Sequence, residues 1–218
     1  MIRPILAVGW LVLTPILSLR AQVPASGGAA PPAPSDSALR AELLDLREAD
    51  QRARDDFGPR AAANDTAFLQ RLLEGDSVRT RRLVEIVRQH GWPTRALVGE
   101  DGTEAAWLLL QHSPSDSLRR ALLPELWRAV ERGDVKAAEA AMLTDRVQVT
   151  AGQPQLYGSS FELVDGRLRP HPIEDPAGVD ARRLEVGLPP MAEYARVLGE
   201  VYKLPVEWPP KPGEKRQR

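Results

Sequence analysis

Residues 105–112 read AAWLLLQH, and this short stretch decides the fold of the chain. Its first six residues are apolar on every side of a helix, which is typical of a helix in the middle of a core. We place the beginning of this helix near Asp101. The stretch ends in Gln111 and His112, so the sequence predicts an imidazole at the mouth of the most buried element.

Amphipathic helices are predicted on both sides of this central helix, because apolar residues recur there in steps of three and four. Their predicted ranges are 35–57, 66–73, 77–90, 118–132, 135–143, 179–186 and 191–201. Pro124 is expected to kink or divide the helix that contains it. We therefore predict a mainly α fold, a single-domain array of about seven to eight helices.

Short strand-like segments interrupt the helical pattern after residue 143. Residues 147–149 alternate in hydropathy, and residues 155–157 precede a glycine. Asp165 and Gly166 separate two further short segments, and such a pair is a strong local signal for a hairpin. The sequence thus predicts a small β-hairpin within residues 147–170.

The N-terminus has the features of a secretory signal peptide. Arg3 supplies a positive charge, residues 5–19 are almost wholly apolar, and small residues follow. We predict cleavage after Ala21, with Ala25 as a second candidate site and a retained membrane anchor as the alternative. The remaining segments are a flexible Pro/Ala/Gly linker (22–36), one helical domain (37–205) and a disordered basic tail (206–218). These features predict a periplasmic or secreted protein with no stable membrane span after cleavage.

Composition narrows the chemistry that this protein can perform. The chain has no cysteine, which excludes disulfides, thiol nucleophiles and cysteine-based zinc sites. Its 29 Lys and Arg against 30 Asp and Glu are interleaved along helices, so we expect no nucleic-acid partner. The three histidines are far apart and no metal-ligand spacing or cofactor-binding motif is recognisable, so we expect neither a metal nor a cofactor.

One acidic residue lies where an apolar residue is expected. The inward stripe of the first helix consists of Leu39, Leu43, Leu46, Asp50, Ala53 and Phe57. A buried carboxylate must be paired or it costs several kcal/mol. The candidate partners of Asp50 are His112, Arg146, Arg182 and Arg183. An arginine partner would make a structural lock or a receptor for a polar ligand, whereas His112 would make an acid/base pair.

Further polar residues lie in apolar or turn contexts and complete a candidate site. The predicted ligand-binding residues are Asp50, Gln51, His112, Asp145, Arg146, Gln155, Tyr157 and Arg183, with His112 and Asp50 also the catalytic candidates. The leading hypothesis is a binding module whose polar cleft recognises a small polar ligand or a peptide. The alternatives are a hydrolase-like enzyme with a His/Asp pair and an interaction scaffold formed by residues 118–143. Asp50 as a plain salt-bridge partner and His112 as a helix cap are the purely structural interpretations.

The order of several short motifs is similar to that of a bacterial family known only as a domain of unknown function. The motifs are Asp50-Gln51-Arg52, Gly91-Trp92-Pro93, Gln111-His112, Asp145-Arg146-Val147, Gln155-x-Tyr157-Gly158 and Arg183 with Gly187-Leu188. The resemblance covers about residues 39–194. It implies a shared fold and a common polar site, and it supplies no activity. The chain has Ser159-Ser160 where that family tends to have Thr-Gln, so the resemblance carries over no role for that glutamine.

Overall fold

The computed structural model describes residues 33–209, which fold into eight helices and a two-stranded antiparallel sheet. The elements are α1 (Ser37–Arg52), α2 (Phe57–Ala62), α3 (Thr66–His90), α4 (Arg95–His112), α5 (Asp116–Glu131), α6 (Ala137–Thr150), β1 (Phe161–Val164), β2 (Arg167–Pro170), α7 (Val179–Glu185) and α8 (Met191–Tyr202). This arrangement confirms the predicted fold class. None of these helices combines the length and the apolar character needed to cross a membrane. The predicted signal peptide lies outside the described residues.

Helix α4 runs through the larger of two apolar cores, as the apolar stretch predicted. Residues 105–112 are all buried. The helix begins at Arg95, before the predicted start at Asp101, because the Thr94 side chain caps it by accepting a hydrogen bond from the Leu97 amide. Gly99 then interrupts the helical geometry with φ 75°. The predicted start therefore corresponds to the segment that follows this kink.

The first helix is shorter than predicted. Helix α1 ends at Arg52 and not at Phe57. Gly58 and Pro59, which we expected to end it, lie in the first turn of α2, where proline is tolerated. A Cβ atom on Gly58 would lie 1.8 Å from the carbonyl oxygen of Tyr202, so only glycine lets α2 approach the end of α8 this closely.

The two helices predicted on either side of residue 75 are one continuous helix, α3. We expected Asp76 and Ser77 to cap a new helix, and this prediction is wrong. The Ser77 hydroxyl donates to the carbonyl of Leu73 at 2.8 Å, and Asp76 pairs with Arg54 and Arg79. Because both side chains have partners other than the amides of a helix N-terminus, these residues do not begin a new helix.

Helices α5 and α6 also extend beyond the predictions. Helix α5 continues through Pro124 without a division. The carbonyl that loses its partner there belongs to the exposed residue Arg120, where water can replace the missing donor. Helix α6 includes residues 147–149, which we predicted to be extended. Packing against α5 overrides the weak strand preference of two valines.

The predicted hairpin is confirmed. Strands β1 and β2 pair in antiparallel register, and Asp165 and Gly166 form the turn with φ values of 50° and 74°. Residues 155–157, by contrast, form no regular strand, and Gln155 makes only an isolated bridge to Ile173.

Both predicted boundaries of the domain need a correction. The Glu207 amide donates to the carbonyl of Leu168 at 2.8 Å, so residues 206–209 pack on β2 although we assigned them to a disordered tail. At the other end, Ser35 N donates to Ala96 O at 3.0 Å, so the end of the predicted linker contacts α4. The rest of the tail and residues 22–32 of the linker lie outside the described part of the chain.

Two apolar cores meet along helices α1 and α3. The larger core surrounds α4, and the smaller one lies between the hairpin and α8. Helix α3 contributes Leu83 to the larger core and Leu72 to the smaller one. Along α1, Leu43 belongs to the larger core, and Ala53, just after the helix, packs on the smaller one. The polar residues between these apolar positions lie at the junction of the two cores.

Candidate functional site

Asp50 and His112 meet at this junction. Asp50 lies in the last turn of α1, and His112 is the last residue of α4. The Nδ1 atom of His112 lies 2.8 Å from Oδ2 of Asp50. Asp50 is 0% exposed and His112 is 9% exposed, so the hydrogen bond is shielded from solvent. The pairing of the two predicted catalytic candidates is therefore present.

Two arginines and a second aspartate complete the group. Arg54 donates through Nη1 to Asp50 Oδ1 at 2.7 Å and through Nη2 to both carboxylate oxygens of Asp76 at 2.9 Å. Arg79 donates to Asp76 Oδ1 at 2.6 Å, and its Nε lies 3.5 Å from Asp50 Oδ1. We call Asp50, Arg54, Asp76, Arg79 and His112 the junction cluster.

Local sequence spacing brings these side chains together. Asp50 lies in the last turn of α1 and Arg54 in the turn that follows it, four residues later. Asp76 and Arg79 are three residues apart on one side of α3. A Cβ atom on Gly75 would lie 3.1 Å from Arg79 Nη1, so this glycine makes room for the guanidinium. Gln51, another predicted site residue, donates to Asp50 Oδ2 at 2.8 Å.

The protonation states follow from burial and from the arginines. Burial raises the pKa of the Asp50 carboxyl, but the hydrogen bond from His112 and the positive charges around the carboxyl, including those of Arg54 and Arg79, outweigh it and lower the pKa. Burial and the nearby Arg54 charge lower the pKa of His112, against the opposing effect of Asp50. We therefore assign a carboxylate and a neutral imidazole at pH 7, with the arginines keeping Asp50 ionised. In this tautomer Nδ1–H donates to Asp50 and Nε2 is the acceptor nitrogen.

Arg146 is within electrostatic range of the junction cluster. Its side chain is buried, and Arg54 and Asp76 are among the charges that act on it. Burial and the charge of Arg119 lower the pKa of Arg146 to about 9. Of the predicted ligand-binding residues, Asp50, Gln51 and His112 are thus joined directly, and Arg146 is coupled through charge to Arg54 and Asp76.

Asp145 belongs to a different hydrogen-bonded group. Its carboxylate accepts from the amides of Leu156, Tyr157 and Ser159 and from the Ser159 hydroxyl, at 2.8–2.9 Å. Burial raises the pKa of this carboxyl, and the four donors oppose that effect. Asp145 therefore fixes the conformation of the loop of residues 155–160.

Gln155 and Arg183 hold the same loop from its other sides. Gln155 Nε2 donates to the carbonyls of Ser160 and His171, and its Oε1 accepts from the Ser160 amide. Arg183 donates to the carbonyls of Tyr157 and Pro189, both at 2.5 Å. Tyr157 contributes to these contacts through its backbone, not its hydroxyl.

The eight predicted ligand-binding residues therefore divide into two hydrogen-bonded groups. The loop-anchoring group consists of Asp145, Gln155, Tyr157 and Arg183. Most of its hydrogen bonds are made with backbone amides and carbonyls. Two predicted partners of Asp50 also bind elsewhere, since Arg182 contacts Leu156 and Asp175 and Arg183 contacts the loop. The prediction of one cleft lined by all eight residues does not match this arrangement.

Sequence reasoning missed Arg54, Asp76 and Arg79. The spacing of Asp50 and Arg54 was a usable signal, because an acid and an arginine four residues apart can pair on a helix. Asp76 was hidden by its interpretation as a helix cap. Within residues 33–209, no group of three or more His, Asp or Glu side chains could hold a metal ion.

Comparison with known proteins gives one match. A family model described as a family of unknown function, DUF6624, matches residues 37–207, which include both polar groups. No curated protein and no solved structure matches the chain. Because the matched region spans well over half of the sequence, the chain belongs to the family of unknown function DUF6624.

Proposed function

We propose that the protein is an exported ligand-binding protein and that the junction cluster forms its polar binding site. The observation that carries this proposal is the position of five charged or titratable side chains between two apolar cores. The ligand class is a small polar molecule or a peptide.

The energetic cost of the junction cluster supports a role in binding. Desolvating charged groups costs several kcal/mol per ion, and well-packed apolar residues at such positions are often as stable or more stable. Asp50 occupies a position in an apolar stripe where leucine would join the two cores directly. A polar cluster retained at that position is therefore better explained by recognition than by stability.

Buried polar atoms without a hydrogen-bond partner support the same role. Both amide atoms of Gln111, the Nε of Arg79 and the Thr80 hydroxyl have no hydrogen-bond partner among the described residues. Arg79 belongs to the junction cluster, Gln111 precedes His112 in the chain, and Thr80 follows Arg79. An unsatisfied buried polar group costs about 1–3 kcal/mol. A bound polar ligand would recover part of that cost.

Nuclear magnetic resonance of the histidine side chains tests the proposal. The purified protein is mixed with pools of small polar metabolites and short peptides while the ring resonances of His90, His112 and His171 are followed. We expect a ligand that shifts the His112 signals, leaves those of the exposed His90 unchanged, and loses affinity in Asp50→Asn. The matched control His90→Gln should bind normally. Pools without a binder, or binding that persists in Asp50→Asn, would contradict the proposal.

A second candidate function is favoured by the 2.8 Å contact between His112 and Asp50. The carboxylate orients the imidazole, so Nε2 of the neutral ring could accept a proton from an attacking water. Asp50 would stabilise the imidazolium, which would then return the proton to the leaving group. This chemistry corresponds to a hydrolase that uses His112 as its base.

Ester hydrolysis distinguishes this candidate from simple binding. p-Nitrophenyl acetate and bis(p-nitrophenyl) phosphate serve as probes of acyl and phosphoryl transfer. A hydrolase would lose about 10²–10⁴-fold in rate in His112→Gln, the usual contribution of a general base. Equal rates in wild type and His112→Gln would leave binding as the function of the site.

An interaction scaffold receives less support. The large apolar side chains exposed in the described part of the chain are Leu73, Val78, Leu184 and Val201. None of them belongs to residues 118–143, where the scaffold hypothesis requires an apolar patch.

Export is tested separately, at the N-terminus of the protein recovered from bacterial cells. We expect the chain to be found outside the cytoplasm and to begin at Gln22, because the first 21 residues have the composition of a signal peptide. A protein that keeps Met1 and remains in the cytoplasm would overturn this part of the proposal.

A further inference from the structure

The segment just before α1 is attached to the first turn of α4. The Ser35 amide donates to the carbonyl of Ala96 at 3.0 Å. The next amide, that of Asp36, donates to the carbonyl of Leu97 at 2.9 Å. Both carbonyls lie just before Gly99, where the helical geometry of α4 is interrupted, and carbonyls at such a position need donors from outside their own turn. The segment before α1 supplies those donors.

An ion pair joins α1 to α4 immediately beyond this kink. Arg40 donates through Nε to Asp101 Oδ1 at 2.9 Å and through Nη2 to Asp101 Oδ2 at 2.5 Å. A contact at two points fixes the orientation of the guanidinium as well as its distance from the carboxylate. A Cβ atom on Gly99 would lie 3.1 Å from Asp101 Oδ1 and 3.1 Å from Pro34 Cγ, so this glycine makes room for the contact. We call residues 34–36, Arg40 and Asp101 the N-terminal clamp.

The register of the clamp continues to the junction cluster. Each hydrogen bond of the clamp between α4 and the α1 side joins residues 61 apart in the chain, and that of Asp50 with His112 joins residues 62 apart. Because this separation changes by only one residue, α1 and α4 run parallel in one register. Asp50 lies ten residues after Arg40, about 15 Å along the helix axis. A slip of one residue would move His112 by about 1.5 Å relative to Asp50, which is enough to break their hydrogen bond.

We infer that the N-terminal clamp positions His112 against Asp50 from the far end of the two helices, so that Arg40 and Asp101 are positioning residues of the binding site. This inference rests on the proposed function, because the junction cluster is the site that is positioned. Apolar packing holds α1 against α4 without a preferred direction, whereas the hydrogen bonds of the clamp define the axial register. The side chains of Arg40 and Asp101 are 40% and 37% exposed, so the geometry of a buried site can be altered at the protein surface.

The exchange of the His112 Nδ1–H proton with water tests this inference in the full chain, without any ligand. Nuclear magnetic resonance measures its rate at constant pH. In Arg40→Gln we expect exchange about two- to fivefold faster than in wild type, the factor that corresponds to the loss of a half-exposed ion pair. The matched control is Arg82→Gln, which removes an ion pair of similar exposure between α3 and Glu42 on α1 and leaves the contacts of α1 with α4 in place. Its exchange should match that of wild type.

Two further variants show whether the clamp acts as a unit. If Arg40 and Asp101 act through their contact, Arg40→Gln/Asp101→Asn should speed exchange no more than the larger single effect. Ser35→Pro removes the amide hydrogen that the Ala96 carbonyl accepts and should speed exchange by a similar factor. Ser35→Ala keeps that hydrogen and should leave the rate unchanged. The substitutions at Ser35 also keep the inference falsifiable if Arg40→Gln does not fold.

Three results would overturn the inference. The first is a rate that is unchanged in both Arg40→Gln and Ser35→Pro. The second is equal acceleration in Arg40→Gln and Arg82→Gln, which would indicate a general loss of stability. The third is additive acceleration in the double variant, which would show that Arg40 and Asp101 act independently.

The ligand screen separates this inference from the proposed function. If Arg40→Gln speeds exchange at His112 but no metabolite or peptide shifts the His112 signals, the clamp stands and the proposed binding site fails. If a ligand binds at His112 while neither Arg40→Gln nor Ser35→Pro changes the exchange rate, the proposed function stands and the clamp fails.

Discussion

Asp50 and His112 are 62 residues apart in the chain, and their side chains are joined by a 2.8 Å hydrogen bond at the boundary of two apolar cores. Helix α1 delivers the carboxylate and helix α4 delivers the imidazole. Arg54 and Arg79 pair with the other carboxylate oxygen of Asp50, Oδ1.

Removing only the charge of Asp50 should destabilise the protein. In Asp50→Asn, an amide faces the Nδ1–H of His112 and the guanidinium of Arg54, so donors lose their best acceptor. We expect the free energy of unfolding to fall by about 1–3 kcal/mol. Urea denaturation measures it, and Asp45→Asn, an exposed position on the same helix, is the control. A change within about 0.5 kcal/mol, as for an ordinary surface substitution, would contradict the observed pairing.

The neutral, buried imidazole of His112 should make stability depend on pH. Because the pKa of His112 is lowered on folding, the unfolded chain takes up a proton first as the pH falls through about 6.5. The contribution of the neutral imidazole to stability is thus present above that pH and is lost below it. The free energy of unfolding should fall by up to about 1.4 kcal/mol per pH unit. The measured quantity is the difference in unfolding free energy between wild type and His112→Gln from pH 8 to pH 5. A difference that does not change with pH would contradict the assignment.

Glu139 should give a pH dependence of opposite sign. Burial raises the pKa of this carboxyl to about 7, against the hydrogen bond from the Lys136 amide. Its contribution to stability is therefore present below about pH 4.5 and is lost as the pH rises towards 7. Glu139→Gln keeps an acceptor for the Lys136 amide and carries no charge, so its advantage over wild type should grow to about 3 kcal/mol by pH 8.

Thermal unfolding of both proteins at pH 5 and pH 8 measures the effect of Glu139. The exposed residue Glu131, on α5, provides the control substitution Glu131→Gln. If the Gln variant of residue 139 gains nothing between the two pH values, the buried carboxyl is not the origin of the pH dependence.

The loop-anchoring group should behave as structure. In Asp145→Asn, the three backbone amides and the Ser159 hydroxyl compete for one acceptor oxygen. We expect a loss of roughly 2–4 kcal/mol in unfolding free energy and faster hydrogen exchange of the Ser159 amide. Glu174→Gln, in the neighbouring exposed loop, should change neither quantity. Unchanged exchange at Ser159 would show that Asp145 does not hold the loop.

The parts of this structure that could be predicted are those determined by local periodicity. The stretch 105–112 identified the buried helix, and Asp165-Gly166 identified the hairpin. Asp50 was noticeable because it interrupts an apolar stripe, and His112 because it ends the apolar helix. Both signals are local contrasts between a polar residue and its apolar neighbours.

The rest depends on tertiary contacts that local patterns do not contain. Asp76 resembles a helix cap in sequence, and only the position of Arg54 shows why the helix continues through it. Residues 147–149 resemble a strand until packing against α5 is known. Asp145 and Arg183 resemble ligand-binding residues, and their backbone partners appear only once the loop of residues 155–160 is folded.

The central claim is that the junction cluster serves recognition and not stability. The double variant Asp50→Leu/His112→Leu tests it most directly, because Arg54 and Arg79 keep Asp76 as a partner while the two cores become continuous. We predict a thermal unfolding midpoint equal to or above that of wild type, since apolar replacement of a buried polar pair is often neutral or stabilising. A midpoint lowered by about 4 °C or more, which corresponds to at least about 1 kcal/mol in a protein of this size, would contradict the claim and make the cluster a structural lock.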